Sequence, residues 1–315
     1  MRRSGRLAMV AVSVCVLLLV GGAPGVATVP GPNGRILFTI DTRNCDDCHL
    51  TTIDPDGTDP DRVEGFIAFW SPDGTRITTA ENAPDGRLTT GVMDADGSNL
   101  IVFALTDPTL NAGCLVWFAD ASHFLCEGWD EVRRHRPAGV FEVSAADGTG
   151  LTRLTTNPYG GNDFPADVSP DGTRFVFVRE NPARRHRHAS IWVAAIDGSG
   201  ETRISPWLEG YLCCQPDWSP DGSKILYTAK GIPVSVAPDG TDREFIDLDA
   251  PLDDSYTLQP HWSPDGTRIV VAAYLPGESQ SDLWTVAADG TDPVQVTASA
   301  RSEQWPDWGP APTVP

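Results

Sequence analysis

Two short basic runs stand out in an otherwise acidic chain: Arg133-Arg134-His135-Arg136 and Arg184-Arg185-His186-Arg187-His188. Guanidinium forks match carboxylates, phosphates and sulfates, so a patch built from both runs would take an anion or an acidic partner. The same residues also read as two solvated loops, partly neutralised by Asp130, Glu131 and Glu180. A metal site at His135, His186 and His188 is disfavoured, because the neighbouring arginines repel a cation.

The cysteines offer a second chemistry. Cys15 falls in an apolar N-terminal run, which leaves Cys45, Cys48, Cys114, Cys126, Cys213 and Cys214. An even count in an exported chain suggests disulfides. The expected pairs are local: Cys45–Cys48, Cys114–Cys126 across a hairpin from the start of one strand to the end of the next, and a vicinal Cys213–Cys214. Zinc at Cys45-Asp46-Asp47-Cys48 would need two further ligands, and His49 supplies only one. Asp54-x-Asp56-Gly57 and Asp94-x-Asp96-Gly97 open like a calcium loop, but the twelfth positions hold Gly65 and Leu105 where a bidentate glutamate belongs. No nucleophile elbow, His-Glu-x-x-His or phosphate loop occurs, so no catalytic residue, metal or cofactor is assigned.

The elements that must position these residues are written in a repeat. Trp-Ser-Pro-Asp-Gly-Thr-Arg starts at Trp70 and Trp262, with close copies at Val168 and Trp218 and worn copies at Trp117 and Gly31. Proline presets φ, aspartate bonds the local backbone and glycine takes the conformation a Cβ opposes, so each copy is a tight turn between two strands. Pro32, Pro72, Ala119, Pro170, Pro220, Pro264 and Pro310 are spaced by 40, 47, 51, 50, 44 and 46 residues. That is the length of a four-stranded propeller blade. A second turn, Asp-Gly at Asp56, Asp96, Asp147, Asp197, Asp239 and Asp289, alternates with the first. Each repeat therefore holds strands A to D: A ends at the tryptophan, B follows Pro-Asp-Gly, and C and D flank the second turn.

The interleaved W-S-P-D-G-T-R-I and D-G-T/S-G elements, with strands such as Leu151-Thr152-Arg153-Leu154-Thr155, resemble the TolB-like β-propeller repeat, a distant cousin of the WD repeat. The resemblance spans about Pro30 to Pro310. It implies an all-β, six-bladed propeller and, for the best-known members, a secreted or periplasmic protein-interaction role. It implies no catalytic residue, since the shared residues are turn residues. In some serine peptidases this propeller accompanies a separate hydrolase domain, and only five residues follow Pro310.

Residues 1–27 read as a signal peptide. Arg2, Arg3 and Arg6 precede an apolar run from Leu7 to Val20 that is short for a membrane span, and Gly25-Val26-Ala27 is a fair cleavage site. Residues 28–315 form one expected propeller domain, secreted or held in the cell envelope, monomeric and not inserted in a membrane once the signal is removed. The formal net charge of −20 argues against nucleic acid and anionic membranes as partners.

The first blade lacks a strand A of its own, while Glu303 to Trp308 is a strand A with no blade to follow. The C-terminal strand should therefore complete the N-terminal blade and close the ring, which protects the sheet edges. Alternation of strand direction puts every Asp-Gly turn on one face and the long B–C and D–A loops on the other. Both arginine runs fall in B–C loops of adjacent blades on this variable face, with Trp129, Trp207, Tyr159 and Tyr211 as loop aromatics available to a ligand. The tryptophans preceding the turns, and Trp192 and Trp284, read as core. His261 starts near the channel and reads as a packed structural histidine rather than a base.

Two function classes follow. One is a non-enzymatic scaffold binding a protein or peptide, an acidic one where the arginine runs take part, on the variable face. The other is a carbohydrate or small-molecule binder, hydrolase or lyase with a site in the central channel. Three or more histidines or carboxylates from different blades lining the channel would favour the second; a capped channel would favour the first.

Overall fold

A computed structural model describes residues 30–41, 48–82, 87–103, 110–130, 138–182, 188–209 and 215–312. It is an all-β ring of six antiparallel blades, a β-propeller. The expected signal peptide, both arginine runs except His188, Tyr211, Cys45, Cys213 and Cys214 lie outside the described residues.

The turns form as their chemistry dictates. In blade 2, Asp73 Oδ1 accepts hydrogen bonds from Ser71 Oγ (2.6 Å) and Thr75 N (3.0 Å), and the Gly74 amide donates to the Ser71 carbonyl at 2.9 Å. The same bonds recur around Asp171, Asp221 and Asp265. The two turns of a blade meet on one face: the amides of Ala95, Ile196 and Ala288 donate to the carbonyls of Thr75, Thr173 and Thr267.

Closure follows the expected route. The C-terminal strand Ser302–Pro310 pairs with Asn33–Asp41, and blade 1 continues through His49–Ile53 and Asp61–Val63. The Trp308 indole donates to the Gly34 carbonyl at 3.1 Å. Gly74, at φ +68°, lies so close to the Pro310 carbonyl that a Cβ would meet its oxygen at 2.2 Å. The turn of blade 2 thus locks onto the closing strand.

The core is divided among the six seams between blades. Trp218 of blade 5 packs on Val176 and Val178 of blade 4, Trp70 of blade 2 on Leu37 and Leu50 of blade 1, and Trp308 of blade 1 on Val270 of blade 6. Burying each such ring removes a large apolar area from water, stabilising its seam by about 2 kcal/mol or more.

Three placements differ from the sequence reading. Trp129 lies in a strand, His123–Asp130, because the hairpin of blade 3 runs four residues beyond Cys126. For the same reason Cys114 sits inside its strand, Leu110–Trp117, rather than at its start. His188 opens strand C of blade 4, His188–Ala195, opposite Asn181, so it belongs to the sheet and not to the loop.

Candidate functional site

The residue before the tryptophan position of each strand A is buried: of Asp307, Phe69, Val116, Asp167, Asp217 and His261, none is more than 5 % exposed. Phe69 and Val116 join the apolar cores of their seams, whereas Asp307, Asp167, Asp217 and His261 lie close enough to influence one another's titration. A propeller places these positions side by side because strand A is the innermost strand of every blade. Bulges just upstream, between Pro165 and Asp167 and between Leu258 and His261, locally shift the pairing and re-aim the following side chain.

Three of the carboxylates tie one blade to the next. Asp307 Oδ2 accepts the Trp70 amide, Asp167 Oδ2 the Trp218 amide and Asp217 Oδ2 the Trp262 amide, each at 2.6 Å. These short hydrogen bonds hold adjacent blades in register. His261 occupies the equivalent place in blade 6 and breaks the pattern. Its Nδ1 lies 3.4 Å from Asp217 Oδ1 and 3.7 Å from Asp307 Oδ1, between the two neighbouring blades. Its seam is tied one level up, where Gln259 Oε1 accepts the Trp305 amide at 2.6 Å.

Crowding acids away from water shifts their titration. Burial raises Asp307 to about 7 and, with the nearby Asp217 charge, lifts Asp167 well above the usual carboxylate range. For His261, burial disfavours the charged ring, but Asp217 and Asp307 outweigh it and hold its pKa above the ordinary value. The cluster thus has four titratable side chains from four blades, yet it is sealed and its carboxylates are engaged by backbone amides. Among the described residues, no group of three or more His, Cys, Asp or Glu is arranged to hold a metal ion.

Sequence reasoning anticipated the burial of His261 but missed the three aspartates. Their signal was the recurrence of an acid or histidine at one repeat position.

On the variable face, two of the expected aromatics meet. Tyr159, in the loop entering blade 4, packs edge-to-face on Trp207, in the loop leaving it, with centroids 5.2 Å apart. Arg203 lies 5.6 Å over the Trp207 ring. The adjoining segment Leu208–Glu209 pairs with His188 and Ala189, so this aromatic pair stands beside the strand end from which the second arginine run departs. In blade 3, Glu127 is pushed up to about 8 by burial and by the charge of Glu180. On the turn face a hollow of about 450 Å³ opens between blades 5 and 6, lined by Lys224, Trp262 and the turn residues Asp221 and Asp265.

Cys114 and Cys126 form a disulfide, directly opposite one another in the blade 3 hairpin with Cα atoms 3.9 Å apart. Cys48 is also disulfide-bonded. The Cys114–Cys126 bridge staples the blade whose Pro-Asp-Gly turn is replaced by Ala119-Asp120-Ala121, with Ala121 in the left-handed region at φ +57°. Replacing both cysteines with serine is expected to lower stability by about 2–3 kcal/mol on the loop-entropy model. Denaturant unfolding with and without a reductant checks this, and an unchanged midpoint would refute it.

No family model and no curated relative matches the sequence. Solved structures show the fold. TolB from Acinetobacter baumannii superposes with a TM-score of 0.68 at 16% identity, covering 99% of this chain and 74% of that one. A putative TolB from Agrobacterium tumefaciens gives 0.60 at 17% identity, covering 85% and 90%. An oligogalacturonate lyase in complex with manganese gives 0.53 at 14% identity, covering 85% and 74%. The chain therefore shares the six-bladed propeller of TolB-like structures.

Proposed function

We propose that this chain is an exported, non-enzymatic propeller that binds a protein or peptide on its variable face. The observation that carries the reading is the sealed inner ring. Its four titratable residues are buried, and three of them hold blades together through backbone amides. Chemistry on a bound molecule needs groups that can reach it, and these face one another. The Tyr159–Trp207 pair with Arg203 supplies what a binding face uses, rigid aromatic area beside a guanidinium. The arginine runs, expected from the sequence in B–C loops of the same face, would add charge for an acidic partner. Likeness of repeat to TolB-like proteins and a disulfide-bonded hairpin agree with an extracytoplasmic setting.

A second reading has one observation in its favour. Acids and a histidine from four blades do converge on the axis, and a propeller of the same fold is an oligogalacturonate lyase. Fold likeness at this identity is a weak warrant for activity.

The test is a pull-down from the cell envelope and secreted fraction. Mature protein is compared with a variant carrying Arg133, Arg134, Arg184 and Arg185 changed to Glu, and with Trp207→Ala. A partner held by the wild type and weakened at least tenfold in both variants supports the reading. A partner held equally by all three removes this face from consideration. Turnover of a polysaccharide that is lost in His261→Ala would replace the reading with the second.

A further inference from the structure

Among the described residues, every blade ends in an outer strand with one unpaired edge, the kind of edge that recruits other strands unless charge discourages it. Five blades carry that charge. Blade 1 has Asp61 and Arg62, blade 3 Arg153, blade 4 Arg203 and blade 5 Glu244 within the strand, while blade 6 has Asp292 just before Val294–Gln295. Blade 2 differs. From Gly97 through the end of its outer strand at Phe103 there is no charged residue, and Leu100, Ile101 and Val102 are 47 %, 62 % and 45 % exposed.

We propose that the outer edge of Ile101–Phe103 is a docking site for an extended apolar strand from a partner protein, with basic residues at that strand's C-terminal end. Such a strand would add its main-chain hydrogen bonds to the free edge and lay alternate side chains over Leu100 and Val102 or over Ile101. Antiparallel addition is the more stable geometry. The outer strand runs away from the turn at Asp94 and Asp96, so an antiparallel guest ends beside those two acids. Hydrogen bonds from the Ser98 side chain and amide hold the Asp96 carboxyl below its usual range, so it is ionised there. This is the complementarity that asks for lysine or arginine at the guest's C-terminus. A second copy of this chain fits less well. Three exposed side chains fall far short of the roughly 800 Å² per partner that a stable interface buries. Two chains each of net charge −20 also repel. The site lies on the outer rim, apart from the variable face, and stands or falls independently of the function proposed above.

The probe is a fluorescent nine-residue peptide of alternating valine and threonine ending in two lysines, followed by anisotropy against the full mature protein. Saturable binding is expected, weakened at least tenfold by Ile101→Lys and by a proline at the peptide's centre, which removes a backbone donor without altering charge. Asp96→Asn is expected to weaken it about two- to threefold. Because Ile101 is exposed, the lysine variant should keep the wild-type melting temperature, which confirms that binding and not folding was lost. Absence of saturable binding overturns the proposal, as does equal binding of the proline peptide or of the Ile101→Lys protein. If sedimentation shows wild-type dimers that Ile101→Lys abolishes, the occupant is a second copy and the peptide reading falls.

Discussion

Arg179→Ala is expected to lose about 3–5 kcal/mol of folding stability, because it strands a buried carboxylate. Arg179 is fully buried in blade 4. Its Nε and one terminal nitrogen each donate to Asp163 at 2.8 Å, and its terminal nitrogens donate to Glu201 at 2.6 and 2.9 Å. The guanidinium plane lies 5.0 Å over Phe177 and 4.8 Å over Trp192. Burial opposes its charge, but its hydrogen bonds to the two carboxylates outweigh this and keep it protonated. Glu201 remains partly exposed and can turn to water. Asp163 cannot: it is fully buried at the head of the innermost strand, where its amide also donates to the Ala138 carbonyl of blade 3 at 3.0 Å. Removing the cation therefore leaves an uncompensated charge in the seam between blades 3 and 4. Urea unfolding measures the loss. The double change Arg179→Met with Asp163→Asn should cost clearly less than the two single changes summed, because each single change strands a partner that the double does not. A single-variant loss below 1 kcal/mol, or strict additivity, would show that the network contributes little.

Neither Arg179 nor the three aspartates of the inner ring were legible in the sequence, and the reason is the same. Arg179 follows Phe175-Val176-Phe177-Val178 and reads as the polar end of a strand. Its partners stand 16 and 22 residues away and meet it only after the blade has folded. Asp167, Asp217 and Asp307 read as ordinary polar neighbours of a turn, and their burial depends on closing a ring of distant repeats. What could be read was local. Ser71-Pro72-Asp73-Gly74 makes its turn from its own side chains, so period, blade count, strand order and closure by Trp308 all followed from short-range chemistry. Cys114 and Cys126 were placed opposite one another for that reason too, since a hairpin fixes its register at the turn. The loop aromatics fell between these cases. Tyr159 and Trp207 could be named as loop residues, but that they touch depends on two successive loops folding over the same rim.

Stability is expected to be greatest near pH 4–5, with the larger loss on the alkaline side. Burial raises Asp307 from 3.8 to about 7, and burial and Glu180 raise Glu127 from 4.5 to about 8. His261 titrates above its ordinary 6.5, where Asp217 and Asp307 outweigh burial. In each case the folded chain holds a proton that the unfolded chain has released, so stability falls as pH rises across the interval between the two pKa values. That interval is about 4 to 7 for Asp307, about 4.5 to 8 for Glu127, and from 6.5 upward for His261. The turn aspartates act oppositely. Hydrogen bonds from Thr58, Ser199, Thr241 and Thr291 hold Asp56, Asp197, Asp239 and Asp289 below the usual 3.8, so their contribution is present above that pH and lost as pH falls through their folded values. Asp307→Asn isolates the alkaline limb. Asparagine keeps a carbonyl oxygen for the Trp70 amide at the place where Asp307 accepts it, but it cannot ionise. Near pH 4 the variant and wild type should be close in stability. At pH 8 the variant should be the more stable, by on the order of 4 kcal/mol if Asp307 titrates near 7. Thermal melts of both proteins from pH 3 to 9 read this directly. Parallel profiles would mean that Asp307 releases its proton as readily in the folded chain as in the unfolded one, so that a buried carboxylate stands ionised in the inner ring at neutral pH. The sealed cluster would then need cations or water reaching the axis, and the channel would have to be open where the buried ring closes it.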